Sequence, residues 1–151
     1  RRRWWGRPGT ATLLAVDWTT DEDMNVFVVE DAPEVRKRLV AMLRAVPGID
    51  VVGEADSVRG AVDGVLAGAV DVVLLDLQLA DGSGLDVLTA VKPQCPKLYV
   101  IVLSNFASQE QYRDASLAAG ADIVLDKTKE FGRVREILRG RLDAQQAGVP
   151  C

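Results

Sequence analysis

The chain has 151 residues, of which 48% are hydrophobic and 26% are charged, and it carries a formal net charge of -4. These values are typical of one soluble globular domain that is large enough to build its own core. The acidic balance disfavours nucleic acid as a direct partner, because binding to a phosphate backbone depends on clustered Lys and Arg.

The absence of histidine, the spacing of the two cysteines and the lack of a long apolar run exclude several classes of site and of protein. The sequence contains no histidine, which excludes a Ser-His-Asp triad, a His metal ligand and a phosphohistidine carrier. Cys95 and Cys151 lie far apart without metal-ligand spacing, which suits a reducing compartment. No apolar run approaches the roughly 20 residues that span a bilayer. We therefore expect a cytoplasmic protein without a membrane partner, in which Asp, Glu, Lys and Ser carry the chemistry.

Residues 1–23 differ in composition from the rest of the chain. They open with Arg and Trp and end in an acidic cluster, whereas a clean strand pattern begins at Met24. We interpret residues 1–23 as an N-terminal extension, non-native or disordered, and on one hypothesis Met24 is the natural start. Residues 24–143 then form the folded domain, and residues 144–151 form a C-terminal tail.

From Met24 onward, short apolar runs alternate with segments of helical period in five strand–helix repeats. This pattern predicts an α/β fold in which a doubly wound, five-stranded parallel sheet is covered by helices on both faces. The strands are predicted at residues 25–30, 49–53, 70–76, 98–104 and 121–126.

The ends of the helices also carry sequence signals. In chain order these are a stop at Pro47-Gly48, a cap at Asp56 or Ser57, a loop at 80–84 before a helix at 85–91, a capping box of Ser108 with Gln111, and a cap at Thr128.

Polar residues follow four of the predicted strands. The first strand ends in Glu30 and Asp31, the third in Asp76, the fourth in Ser104, and the fifth runs through Asp126 into Lys127. Because ligands of open parallel sheets bind beyond the carboxyl ends of the strands, these groups are expected to meet at one rim. Taken singly, each has a structural explanation as a helix cap, a turn residue or a solvated charge. Their coincidence at one rim favours a functional site.

Crowded carboxylates repel one another unless a cation joins them. An oxygen-only set without His or Cys suits a hard ion such as Mg²⁺. In-line phosphoryl transfer needs a nucleophile, a metal, and cationic or hydroxyl donors for the phosphoryl oxygens. Asp76, Lys127 and Ser104, together with the acidic pair, supply that set.

Four segments resemble the response-regulator receiver family of two-component signalling, over about residues 24–142. They are VVEDAPEVRKRL, VVLLDLQLADGSGLDVL, VLSN and AGADIVLDK. The resemblance implies a flavodoxin-like strand order of 2-1-3-4-5, and a domain that accepts a phosphoryl group and removes it again by itself but has no other enzymatic activity.

The resemblance also implies a role for each site residue. Asp76 would be the phosphoacceptor and a metal ligand, Asp31 would bind Mg²⁺, Glu30 would act through water, and the backbone carbonyl of Gln78 would be a further ligand. Ser104 would hydrogen-bond the phosphoryl group and swing inward, while Lys127 would pair with it.

Three positions depart from the family pattern. Ala80 stands where Pro is frequent, Thr128 follows Lys127 where Pro is usual, and Val124 occupies the place of the usual switch aromatic. These departures predict a more mobile loop after the last strand and a weaker coupling between Ser104 and an aromatic ring.

The partners implied are a sensor histidine kinase or phosphotransfer protein and an unidentified downstream protein. A homodimer is left open, and no DNA-binding output domain is expected in this chain. Candidate contact residues are Tyr112, Arg113, Arg133 and Arg135.

One rival interpretation is an aspartyl-phosphate phosphatase or phosphotransferase, in which Gln78 would stand where a second acid is usual. Another is a flavodoxin-like nucleotide or flavin binder, whose phosphates the acidic rim would repel.

Overall fold

The structure is a computed structural model that describes residues 23–146. The predicted extension lies outside the described residues apart from Asp23, and so do residues 147–151 of the predicted tail.

Seven strands and five helices make up the described chain. In chain order they are β1 (Met24–Val29), α1 (Pro33–Arg44), β2 (Ile49–Ala55), α2 (Val58–Ala67), β3 (Val72–Asp76), β4 (Gln78–Leu79), β5 (Gly82–Ser83), α3 (Gly84–Val91), β6 (Tyr99–Ser104), α4 (Glu110–Ala118), β7 (Ile123–Asp126) and α5 (Arg133–Gln146).

Five of the strands form one parallel sheet in the order β2-β1-β3-β6-β7. Numbered among themselves, these strands have the order 2-1-3-4-5, so the predicted flavodoxin-like, doubly wound fold is confirmed. The remaining pair, β4 and β5, forms a small antiparallel hairpin that the sequence did not predict. It lies directly after β3, where the predicted site begins.

The core consists of two apolar layers, one on each face of the sheet. Because successive strand residues point to opposite faces, Val73 and Leu75 of β3 pack with α2 and α3, whereas Val72 and Leu74 pack with α1 and α5. All five residues of β3 are buried, which is typical of a central parallel strand. The end of β3 is therefore held rigidly from both sides.

Two predicted helix caps are wrong. The capping box of Ser108 and Gln111 does not form, since α4 has Gln109 at its N-cap without a side-chain hydrogen bond. Thr128 does not cap α5, which begins five residues later at Arg133. The predicted cap at Ser57 is confirmed, because its side chain accepts a hydrogen bond from the Gly60 N–H.

The helices in the described part of the chain do not combine the length and apolar character required to cross a membrane.

Candidate functional site

The polar rim lies where β1, β3, β6 and β7 end. Glu30 follows β1 and is 1% exposed, Asp76 closes β3 and is 5% exposed, and Ser104 closes β6 and is 1% exposed. Lys127 follows β7. These four residues lie at the ends of neighbouring parallel strands, which is the rim that the sequence predicted for them.

Three carboxylates form a cluster at this rim. Glu30, Asp31 and Asp76 each offer an oxygen atom, and the three atoms lie within 4.8 Å of one another. Asp31 is exposed while the other two are buried, so the cluster opens to solvent on the side of Asp31. Two negative charges held in a buried position at such distances require a cation nearby.

Lys127 supplies part of that positive charge. Its Nζ atom lies 2.8 Å from Oε1 of Glu30 and 3.1 Å from Oδ2 of Asp76. Burial is the largest single influence and would lower the pKa of Lys127, but the hydrogen bonds and charges of Glu30 and Asp76 together raise that pKa above its ordinary value. The ammonium group is therefore charged and bridges the two buried carboxylates.

The Glu30 side chain is oriented by the start of α1. Its Oε2 atom accepts a hydrogen bond from the Ala32 N–H at 3.1 Å, and its carbonyl accepts one from the Arg36 guanidinium at 2.7 Å. Ala32 is the N-cap of α1 and Pro33 occupies its first turn, with no side-chain cap bond. The N-cap position is therefore held by Ala32 and not by Asp31, whose carboxylate lies in the cluster.

The Asp76 side chain is fixed by the chain that follows it. Its Oδ1 atom accepts a hydrogen bond from the Gln78 N–H at 3.3 Å. Gly84 packs so tightly against the Asp76 carbonyl oxygen that a Cβ atom at this position would overlap it. The Gly84 N–H also donates to the Leu77 carbonyl at 2.9 Å. The β4–β5 hairpin thus closes back onto the residue that ends β3.

The Ser104 hydroxyl is turned toward its own loop. Its Oγ atom accepts a hydrogen bond from the Phe106 N–H at 2.9 Å. The Ser104 carbonyl accepts one from the Lys127 N–H at 3.0 Å, which ties the ends of β6 and β7 together. The hydroxyl is buried, and a rotation away from its own loop would break its bond to Phe106.

Asp126 ends a strand at the same rim but stays outside the carboxylate cluster. Its Oδ1 atom accepts hydrogen bonds from the N–H groups of Lys129 and Thr128 and from the Thr128 hydroxyl. These bonds, with that from Lys129 the largest contribution, lower the pKa of Asp126. They also explain why Thr128 does not cap α5, since its side chain is held in the turn after β7.

Asp81 lies at the tip of the β4–β5 hairpin and was not predicted from the sequence as a site residue. Its Oδ1 atom accepts a hydrogen bond from the Val58 N–H of α2 at 2.6 Å. The local signal was the Asp-Gly pair at residues 81 and 82, which is typical of a tight turn. An Asp-Gly pair does not predict a contact between Asp81 and Val58 of α2, which is 23 residues away along the chain.

Known structures with this fold include the signal receiver domain of NarL from Mycobacterium tuberculosis. It has a TM-score of 0.71 and 26% sequence identity, over 80% of this chain and 97% of that one. A CheY-like receiver domain protein from Methanospirillum hungatei has the same fold, with a TM-score of 0.71 and 20% identity, over 83% of this chain and 98% of that one.

Sequence relatives extend beyond the matched region. The chain is 38% identical to the DNA-binding transcriptional activator DevR/DosR of Mycobacterium tuberculosis, over 78% of this chain and 56% of the relative. It is 34% identical to the nitrate/nitrite response regulator protein NarP of Escherichia coli, over 76% of this chain and 53% of the relative. The chain thus spans about half the length of these two relatives.

Residues 26–139 match the model of the response regulator receiver domain. This region includes every strand of the parallel sheet except the first two residues of β1, as well as all the rim residues described above. The chain therefore belongs to the response regulator receiver domain family.

Proposed function

We propose that this receiver domain accepts a phosphoryl group on Asp76 from a histidine kinase or phosphotransfer protein, in a reaction that depends on Mg²⁺. The observation that carries the proposal is the position of Lys127 between Glu30 and Asp76, at 2.8 and 3.1 Å. A fixed cation beside a buried carboxylate is what the charge of an incoming phosphoryl group requires.

The donor set at the rim fits Mg²⁺. Glu30, Asp31 and Asp76 provide only oxygen atoms, and one of the three carboxylates is open to solvent. Mg²⁺ prefers such hard ligands and usually keeps several waters beside one or two carboxylates. We assign the site to these three residues, with Glu30 acting through water and the Gln78 carbonyl as a further ligand. When bound, the ion supplies positive charge that offsets the phosphoryl oxygens.

Asp76 is the nucleophile in this proposal. The transfer forms a bond between one of its carboxylate oxygens and phosphorus, and it breaks the bond between phosphorus and the nitrogen or oxygen of the donor, which leaves with the bonding electrons. The Gln78 N–H orients one Asp76 oxygen and Lys127 contacts the other. Lys127 and the Ser104 hydroxyl then serve as donors to the phosphoryl oxygens.

A groove beside the rim could admit the donor. A cavity of about 400 Å³ lies between α1 and the turn after β7, next to Lys127. Its lining includes Val35 and Phe131, and the Arg38 guanidinium stands 4.8 Å from the centre of the Phe131 ring. An apolar floor with a cation at its edge suits a protein partner that carries a phosphoryl group.

The phosphoryl group is proposed to change partner binding by rearranging the loop after β6, in a phosphorelay in the cytoplasm. Rotation of the Ser104 hydroxyl toward the phosphoryl group would release the Phe106 N–H and free this loop to move. The exposed residues Tyr112, Arg113, Arg133 and Arg135 are candidate contacts for a downstream protein or a second copy of the chain. The rival phosphatase lacks support, because the residue two positions after Asp76 is an exposed amide, Gln78, rather than an acid.

The test is incubation with acetyl phosphate and Mg²⁺, followed by intact mass spectrometry. Wild type should gain the mass of one phosphoryl group, and Asp76→Asn should gain none. Asp126→Asn is the matched control, since Asp126 is an acid at the same rim but lies outside the cluster. An adduct on Asp76→Asn, or no adduct on wild type, would overturn the proposal.

A further inference from the structure

We infer that Asp81 is a positioning residue for the metal site, because its carboxylate ties the β4–β5 hairpin to the N-terminus of α2 and so fixes Gln78. The inference rests on the proposed function, since Gln78 is the residue whose carbonyl is assigned to Mg²⁺. Asp81 itself touches neither the carboxylate cluster nor the reacting atoms.

The contact between Asp81 and α2 uses two N–H groups that the helix leaves without a partner. Oδ1 of Asp81 accepts from the Val58 N–H at 2.6 Å, and Oδ2 accepts from the Arg59 N–H at 3.4 Å. Ser57, the N-cap of α2, accepts from the next N–H, that of Gly60. The first turn of α2 is therefore capped by two side chains, one of which comes from the hairpin. A carboxylate is also favoured there by the helix dipole.

The hairpin is too small to hold its own position. It consists of two residue pairs, Gln78 with Ser83 and Leu79 with Gly82. An isolated two-stranded ribbon is at best marginally stable, and this one is far shorter than most. Its conformation must come from its surroundings, which are the core that buries Leu79 and the contacts that hold its two ends.

Those two ends are attached to different parts of the domain. At the root, Gly84 bonds to the Leu77 carbonyl and the Gln78 N–H bonds to Asp76. At the tip, Asp81 bonds to α2. Gln78 lies between the two attachments, so we expect its carbonyl to lose part of its fixed orientation when either one is removed.

The packing at the tip supports the same role. An added Cβ atom at Gly82 would lie 3.2 Å from the Cγ2 atom of Val58, so the hairpin backbone lies directly against the first turn of α2. Ala80 stands where proline is frequent in the family and lacks the backbone restriction of proline. The contact between Asp81 and α2 supplies a restraint on the hairpin tip instead. The hydrogen bond from Val58 lowers the pKa of Asp81, as expected for a carboxylate that accepts bonds from backbone N–H groups.

The experiment is a Mg²⁺ titration followed by NMR chemical shifts, without any phosphodonor, on the full chain. Asp81→Ala should weaken Mg²⁺ binding by about threefold to tenfold. Asp81→Asn keeps an oxygen acceptor for the Val58 N–H and should restore most of the affinity. Amide hydrogen exchange at Val58 and Gln78 should rise in Asp81→Ala and return toward wild type in Asp81→Asn.

Ser57→Ala is the matched control. It removes the other cap of the same helix turn but leaves the hairpin attached, so Mg²⁺ affinity should stay at the wild-type value. Equal affinity of Asp81→Ala and wild type would overturn the inference and leave the proposed function intact. Equal weakening by Ser57→Ala and Asp81→Ala would also overturn it, since the effect would then come from α2 alone. A wild-type protein that binds no Mg²⁺ would overturn the proposed function itself.

Discussion

The Nζ atom of Lys127 lies 3.1 Å from Oδ2 of Asp76, so the proposed phosphoacceptor is paired with a cation before any phosphoryl group arrives. The same ammonium group lies 2.8 Å from Oε1 of Glu30. It therefore offsets two buried negative charges at once.

Replacement of Lys127 by alanine should destabilise the domain, because it leaves Glu30 and Asp76 buried without their counter-charge. We expect a loss of about 2 kcal/mol in the free energy of unfolding. Removing one partner of a fully buried ion pair costs about 3–5 kcal/mol, and the cost should be smaller here because the cluster is open to solvent beside Asp31. Urea unfolding at neutral pH measures the loss.

Added Mg²⁺ tests whether the instability of Lys127→Ala comes from the missing positive charge or from a general disturbance of the fold. The variant should still bind Mg²⁺, and the added ion should recover part of the lost stability because it replaces the missing positive charge. Lys97→Ala, at an exposed position, is the control and should unfold like wild type with or without the ion. A Lys127→Ala variant as stable as wild type would show that the pairing has no net effect.

The raised pKa of Lys127 predicts a loss of stability at alkaline pH. A lysine whose pKa is higher in the folded protein than in the unfolded protein stabilises the fold while it is charged. This stabilisation is fully present below the pKa of the unfolded state, ordinarily 10.5, and it is lost as the pH rises through the pKa of the folded state. The difference in unfolding free energy between wild type and Lys127→Met should therefore be constant near neutral pH and should shrink above about pH 10.5. Urea titrations across this range measure it, and a difference that grows with pH would contradict the assignment.

The rim could be predicted from the sequence because strand ends in a parallel sheet have a readable pattern. Glu30, Asp76 and Ser104 each follow an apolar run, and the topology of the fold alone brings such ends together. The cap assigned to Thr128 was wrong for a local reason, since the neighbouring carboxylate of Asp126 takes its hydroxyl.

The contact of Asp81 with Val58 was not predictable in the same way. Strands of two residues have no periodicity to detect, and a hydrogen bond between segments 23 residues apart depends on the packing of α2 against the hairpin. The sequence therefore indicated which side chains lie at the rim, but not the backbone contacts around them.

Gly84 should be essential for the orientation of Asp76. Gly84→Ala places a Cβ atom against the Asp76 carbonyl oxygen, so the end of β3 or the start of α3 must shift. We expect a cost of about 2 kcal/mol in the free energy of unfolding, as for other overpacked sites, and a slower reaction with acetyl phosphate. Gly132→Ala is the matched control, because an added Cβ atom there meets open space. Equal phosphorylation rates for the two variants would show that this close contact does not position Asp76.

The hydrogen bond between Ser104 and Phe106 should report the phosphorylation state. Val124 is only 3% exposed and has no ring that could follow Ser104. The aromatic residues near Ser104 are Phe106 and Tyr112, whose ring centres lie 5.2 Å apart at the start of α4. Ser116 is the one fully buried residue within α4, so this helix is weakly anchored and can follow a change in the loop.

If Ser104 turns toward the phosphoryl group, the Phe106 N–H loses its acceptor, which is the oxygen at 2.9 Å in the unphosphorylated protein. Its NMR shift should therefore move on addition of beryllofluoride and Mg²⁺, and its hydrogen exchange should accelerate. Ser104→Ala should already show the accelerated exchange without beryllofluoride and should change little when it is added. Ser108→Ala, at an exposed position in the same loop, should respond like wild type. If the Phe106 amide keeps its NMR shift and its protection from hydrogen exchange in the beryllofluoride-bound wild type, Ser104 does not move. Any conformational change caused by phosphorylation of Asp76 would then not involve this hydrogen bond.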